Sequence, residues 1–255
     1  MLKVEFLAIL SNTDQNLVMR RVKIMDGTAM QPVKPDLRGR FGNNLWEAYS
    51  ARIGRMVTCY SDLEYDHWVW VESDPRVQRH CEQPRRIRVA TPDGPVESIF
   101  DGWIQWQDGA EEYREVKYAR EVADAQEHPE SRVGRQLRAQ AQWCAQHDIP
   151  YRVITEEDLH PHRLLIANWK RLLPYLGPTM QRDITVVQEA VWSCVRSPIP
   201  WGGVIDALTP RFGADPIRAA LTRLLHRGQL QAPLDRVPVG PSLIVERRTP
   251  SHAAR

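Results

Sequence analysis

The chain has 255 residues, of which 42% are hydrophobic and 26% charged, and its formal net charge is +2. That length holds one large domain or two modest ones, with ample apolar material for a packed core. No apolar run reaches the roughly 18 residues a bilayer-spanning helix needs, and the start Met1-Leu2-Lys3-Val4-Glu5 lacks a secretory hydrophobic segment with a small-residue cleavage site, so a cytoplasmic protein is expected.

In chain order, Leu17 to Ile24 reads as a strand, and Gln31 to Asn44 as a surface loop rich in Pro, Gly and basic residues. Its cations Lys34, Arg38 and Arg40 are candidate DNA-backbone contacts, or simply the polar face of an exposed loop. Arg55 to Tyr60 reads as a short strand. Ser61 followed by Glu64 is a capping-box pattern that opens a helix, running to about Glu72 with Leu63, Trp68 and Val71 inward and Trp70 as a further candidate, and Asp74-Pro75 ends it. Glu64 stands in the first turn, where the helix dipole favours a carboxylate. It is the cap, and also a candidate third acid for a metal site. Strands follow at Val77–Cys81 and Arg86–Ala90, with Pro84 marking an edge or bulge between them and Thr91-Pro92-Asp93-Gly94 forming a turn.

Ile99 to Lys117 is the most informative stretch. Aromatic and β-branched residues flank Gln107-Asp108-Gly109, the sign of a hairpin. With a three-residue loop and positive φ at Gly109, Trp106 faces Ala110 and Asp101 falls opposite Glu115. Side chains alternate along a strand, so Glu115 and Lys117 share a face. Two carboxylates and an ammonium on one patch of sheet suit a hard cation, which takes oxygen ligands. The plain alternative is three solvated charges on a polar strand face.

Arg120 to Ser131 is charged and without an apolar stripe, a loop or a loosely held helix. Ser131 to His147 is amphipathic, with Val133, Leu137, Ala141 and Cys144 on one face. Tyr151 to Ile154 makes a last strand, reached by a helical crossover, and Thr155 to Asp158 starts a new turn. The expected fold class is therefore α/β. The cysteines Cys59, Cys81, Cys144 and Cys194 make no C-x-x-C pair and read as reduced, mostly buried thiols. His160-Pro161-His162 is too tight and isolated for a zinc site.

These residues resemble the TnsA endonuclease subunit of heteromeric bacterial DNA transposons. The matching runs are Ser61-Asp62-Leu63-Glu64, Glu72-Ser73-Asp74-Pro75, Glu82-Gln83-Pro84, Phe100-Asp101, Glu115-Val116-Lys117 and Tyr151 to Leu159. The resemblance implies a restriction-endonuclease-like core of the PD-(D/E)xK type, a mixed sheet flanked by helices. It implies catalytic roles for Glu64, Asp101, Glu115 and Lys117, with Mg²⁺ (Mn²⁺ substituting) held by Asp101, Glu115, the Val116 carbonyl and Glu64. The proline that usually precedes the aspartate is replaced by Phe100. Gln83 is a candidate accessory residue. Of Gln136, Gln140 and Gln142, one is expected to reach the site; Gln136 and Gln140, four apart on one helix face, are the two between which the choice stays open, and solvent exposure is the commoner fate of each. The implied activity is hydrolysis of the 5′-end strand at transposon ends in the bacterial cytoplasm, at the nucleoid. The implied partners are transposon-end DNA, a DDE-type transposase that handles the other strand, and an AAA+ transposition ATPase.

The nuclease domain is expected over 1–162 and a second, winged-helix-like module over 163–255. This second part carries 13 Lys and Arg against 6 Asp and Glu, while the rest carries 21 against 26, which suggests nucleic acid or an acidic partner for it. Helices are expected at Arg163–Leu176, broken by Gly177-Pro178, then at about Thr185–Val195, Trp201–Leu208 and Asp215–His226. Leu230–Ala232 and Ser242–Val245 would form a β wing. Arg218, Arg223 and Arg227, on and just after the helix at Asp215–His226, are candidate phosphate contacts, while protein docking is an equal use for such a module. Two other readings of the chain remain beside the transposase nuclease: a non-catalytic adaptor bridging transposase and ATPase, and a free-standing repair or defence nuclease on the same core.

Overall fold

The computed structural model describes residues 30–33, 44–92, 94–180 and 184–249. The strand expected at Leu17–Ile24 and the cations Lys34, Arg38 and Arg40 lie outside them.

Strands β1 (Trp46–Ser50) and β2 (Arg55–Cys59) pair with each other and precede helix α1 (Asp62–Ser73). Five strands follow: β3 (Val77–Glu82), β4 (Arg86–Thr91), β5 (Gly94–Ile99), β6 (Gly102–Trp106) and β7 (Glu111–Val116). Helices α2 (Ala119–Glu127) and α3 (Arg132–Gln146) lead to β8 (Tyr151–Ile154) and the short α4 (Glu156–Leu159). Beyond a 3-10 turn, α5 (Arg163–Leu172) continues into a 3-10 segment at Leu173–Leu176. Pro174 accounts for that change, since it cannot donate within an α-helix. Then come α6 (Thr185–Cys194), β9 (Ile199–Pro200), α7 (Trp201–Phe212), α8 (Ala214–His226), β10 (Leu230–Gln231) and β11 (Ile244–Arg247).

These elements form two compact units. The first holds residues 30–33, 44–46, 58–68 and 76–160; the second holds 47–57, 69–75 and 161 onward. The first is built on a four-stranded sheet in the order β3-β6-β7-β8, antiparallel except for the parallel β7–β8 pair. A parallel neighbour needs a long crossover, which α2 and α3 supply. It is a mixed sheet flanked by helices, consistent with a restriction-endonuclease-like core. Phe100, Trp103, Tyr113, Trp143 and Cys144 form its apolar centre, with Ile87 and Val89 from β4. Phe100 and Tyr113 rings lie 4.6 Å apart.

The β4–β5 hairpin forms its own two-stranded sheet, with Ala90 opposite Pro95. Its second strand is not legible in the sequence, because Pro95 argues against a central strand. In a detached pair every strand is an edge, where proline is tolerated. The charged stretch after Lys117 is helical as α2; its buried contact is the small Ala125, which leaves little apolar stripe to read.

In the second unit, β10-β11-β9 make a three-stranded antiparallel sheet beside α6, α7 and α8. Helix α8 is the core of this unit: Ile217, Ala219, Ala220, Leu221, Leu224 and Leu225 are all buried. Glu72 is fully buried, and three groups answer it. Its Oε2 accepts from Ser50 Oγ at 2.7 Å, and its Oε1 accepts from the Arg52 amide at 3.2 Å and lies 3.0 Å from His226 Nε2.

Candidate active site

The hairpin folds in the register its sequence predicts. Gly102 pairs with Arg114 and Trp103 with Tyr113, which places Asp101 opposite Glu115. The loop closes through Trp106 N–H to Ala110 C=O at 2.8 Å, and Gly109 has φ +86°, a conformation glycine adopts without steric cost. Backbone bonds fix Asp101 on both sides: its N–H donates to Arg114 C=O at 3.1 Å, and its carbonyl accepts from Gln83 N–H at 3.2 Å. Gln83 itself takes φ +40°, so this expected accessory residue acts on Asp101 through its backbone. The Asp101 side chain turns to β7, where Oδ2 accepts from the Val116 N–H at 2.8 Å.

Glu115 is 1% exposed. Its Oε1 accepts from Lys117 Nζ and from Gln136 Nε2, each at 2.6 Å, and its Oε2 accepts from Gln140 Nε2 at 2.7 Å. Lys117 Nζ also lies 3.4 Å from the Val116 carbonyl. The sequence predicts only one of these two glutamines at the site; both reach it, one on each carboxylate oxygen. Exposure, the alternative for each, holds only for Gln142; Gln140 is fully buried and Gln136 partly so. Beneath them stands a layer that sequence reasoning did not identify. Gln140 donates to Ser98 Oγ at 2.9 Å and accepts from Tyr151 Oη at 2.6 Å. Nothing in the alternation of β8 marks that hydroxyl, since a buried tyrosine at a strand start reads simply as core.

Glu64 is held as its capping box predicts. Its amide donates to Ser61 Oγ at 3.1 Å, and its Oε2 accepts from the Tyr60 N–H at 3.0 Å. It also faces the same space as the hairpin acids: a cavity of about 540 Å³ is lined by Glu64, Asp101, Glu115, Val116, Lys117 and Gln136, among others. The buried thiol of Cys59 senses the same grouping. Burial pushes its pKa well up, and Glu64, Glu82 and Asp101 push it further. All four cysteines are free thiols, three of them buried.

Electrostatics divide the site. Burial and the neighbouring Asp101 push the Glu115 carboxyl up to about 8, against the pull of Lys117 and Gln140. Burial opposes the charge on Lys117, but Glu115 and then Asp101 more than offset it, so its ammonium is held charged well into the alkaline range. Burial and Glu115 push the Tyr151 phenol well up, so it remains a donor to Gln140. Among the described residues, no group of three or more His, Cys, Asp or Glu side chains lies close enough to form a protein-only metal cage.

Residues 74–156 match the family described as TnsA-like endonuclease N terminal. The first unit carries a TnsA-like endonuclease domain. The matched span runs from the end of α1 through β8 and takes in Asp101, Glu115, Lys117, Gln136 and Gln140; Glu64 precedes it. A search of curated proteins gave no match. On the opposite face of β7 in this TnsA-like domain, Arg114 pairs with Glu112 and lies 3.1 Å from His67 Nε2. Burial and Arg114 hold His67 well below its usual range, so it is neutral there. That buried pair fixes the strand from behind while Glu115 and Lys117 face the cavity.

The cations expected to touch DNA in the second unit differ among themselves. Arg218 pairs with Asp215 at 2.7 Å, Arg223 is partly buried and Arg227 is exposed. Most of α8 is packed inward, and at 3.6 residues per turn Arg218 and Arg223 stand about 140° apart around it, so these arginines do not share one free helix face.

Proposed function

We propose that the protein is a divalent-cation-dependent DNA endonuclease that hydrolyses the 5′-end strand at transposon ends, working beside a partner DDE-type transposase and an AAA+ ATPase. One observation carries the reading: within a TnsA-like endonuclease domain, Asp101 and Glu115 sit opposite each other around Lys117 in one cavity. The donors there are oxygens from two carboxylates and the Val116 carbonyl. That set fits Mg²⁺, which is bound through one or two carboxylates and keeps several waters, and does not call for a complete protein cage. Mn²⁺ shares the preference for oxygen ligands. Asp101, Glu115 and the Val116 carbonyl would hold the ion, with Glu64 lining the same cavity as a further oxygen donor.

Such an ion supplies Lewis acidity at a phosphoryl oxygen and acidifies a bound water. The chain's own groups do the rest. Lys117 is a charged donor aimed at the acids, placed to orient the attacking water and to stabilise charge developing on the phosphate. Gln136 and Lys117 both occupy Glu115 Oε1, so one of them must yield when a cation binds that oxygen. Gln140 stays behind Oε2 and fixes the carboxylate plane.

In the second unit, helices α6, α7 and α8 with the three-stranded antiparallel sheet support a winged-helix-like module. The inward packing of α8 favours docking on protein over reading bases with that helix. The test uses a labelled duplex carrying a transposon end, incubated with the full chain in Mg²⁺ or in chelator, with and without the cognate transposase. The reading expects cleavage of the 5′-end strand that needs both the metal and the partner. Equal cutting in chelator, or no cutting under any condition, would contradict it.

A further inference from the structure

The cavity that holds the acids is not acidic throughout. Three guanidinium groups also line it: Arg86 from β4, and Arg132 and Arg135 from the first turn of α3. The acids there are Glu64, Glu97, Asp101, Glu115 and Glu121, and each is engaged elsewhere. Glu64 caps α1, Glu121 accepts from the Tyr118 N–H at 3.1 Å, and Glu97 lies 3.7 Å from Arg88. Asp101 and Glu115 bond within the hairpin and to α3. By contrast, Arg86, Arg132 and Arg135 are exposed and have no carboxylate partner among the described residues. Three exposed guanidiniums without a carboxylate partner thus line one cavity, each able to take up oxygens of an anion that enters it.

Their placement is built rather than incidental. Ser131 Oγ caps α3 by accepting from the Gly134 N–H at 3.1 Å. Pro129 presses so close that a Cβ at Gly134 would lie 2.6 Å from its carbonyl oxygen. The turn carrying Arg132 and Arg135 is therefore held rigidly, one turn before Gln136 reaches Glu115. From the other side, α3 packs against both strands of the β4–β5 hairpin that brings Arg86.

We infer that Arg86, Arg132 and Arg135 are positioning residues that seat the backbone phosphates flanking the scissile bond, so that the cut strand crosses the cavity these residues line together with the acids. This rests on the nuclease reading of the site but is tested apart from cleavage. A guanidinium presents a planar fork of donors that matches phosphate oxygens two at a time. Contacts of this kind carry no sequence information.

The experiment measures binding of the full chain to a random-sequence DNA duplex in chelator, across a series of salt concentrations. Each lost phosphate contact lowers the slope of log affinity against log salt by about 0.9. The triple variant Arg86→Gln, Arg132→Gln, Arg135→Gln is expected to lower the slope by about two to three, and each single variant by about one. Melting midpoints should match the wild type, since all three side chains are exposed. An unchanged slope in a folded triple variant overturns the inference. So does a wild type with no measurable DNA binding at low salt. Because no cleavage is read, a loss of slope stands even if the protein proves not to cut.

Discussion

At Glu115, a single carboxylate, itself almost fully buried at the wall of the cavity, is held by three donors. Gln140 is the buried one, joining Glu115, Ser98 and Tyr151. Replacing it with leucine leaves those groups without their partner, at about 1–3 kcal/mol. Gln140→Leu should therefore lower the urea midpoint clearly, whereas Gln136→Ala, at a partly exposed position, should lower it much less. Equal losses would show that the two amides are equivalent. The acidity of Glu115 sets a second expectation. In the metal-free protein its carboxyl holds a proton up to about pH 8, and a cation must displace that proton to use the oxygen. Mn²⁺ affinity should rise about tenfold per pH unit from 6 to 7.5 and flatten above 8, the sign expected when a raised pKa opposes the ligating form. An affinity independent of pH over that range would remove Glu115 from the ligand set. The pairing of Asp101 with Glu115 was legible at this scale, because alternation and a glycine loop fix the register by counting. The supporting hydroxyls of Ser98 and Tyr151 were not, since they act across elements distant in sequence.

At the level of elements, the site depends on two devices: the three-residue hairpin loop that sets the register, and the first turn of α3 that brings its side chains to β7. The first was readable from Gly109. The start of α3 was also readable, from Ser131, but the reason for Gly134 was not. Only the structure reveals the approach of Pro129. Gly134→Ala should cost about 1–3 kcal/mol through that overlap, although alanine is the better helix former. Chemical denaturation measures it, and a stabilised variant would contradict the close approach. The hidden strand β5 has a similar lesson. A proline that reads as a stop is compatible with a strand wherever the strand has no second neighbour.

For the molecule as a whole, the two units have separate cores with buried charge in each. Glu72 in the second unit was read only as part of a motif and as a helix end. It is an enclosed acid answered by Ser50, Arg52 and His226. Sequence could not reveal this, because the partner histidine comes 154 positions later. Removing one member of a buried ionic group costs about 3–5 kcal/mol. Glu72→Ala should destabilise the second unit by that order, read as an early transition in thermal unfolding. A variant that melts like the wild type would mean that the network is incidental.

The central claim is that Asp101 and Glu115 together make a strand-cutting centre. Strand-resolved cleavage of transposon-end DNA by Asp101→Ala, with Mg²⁺ and the cognate transposase present, tests it most directly. The account predicts that 5′-strand cutting falls by about 10²-fold or more, while the transposase still cuts the other strand. Undiminished 5′-strand cutting by a folded Asp101→Ala protein would contradict it.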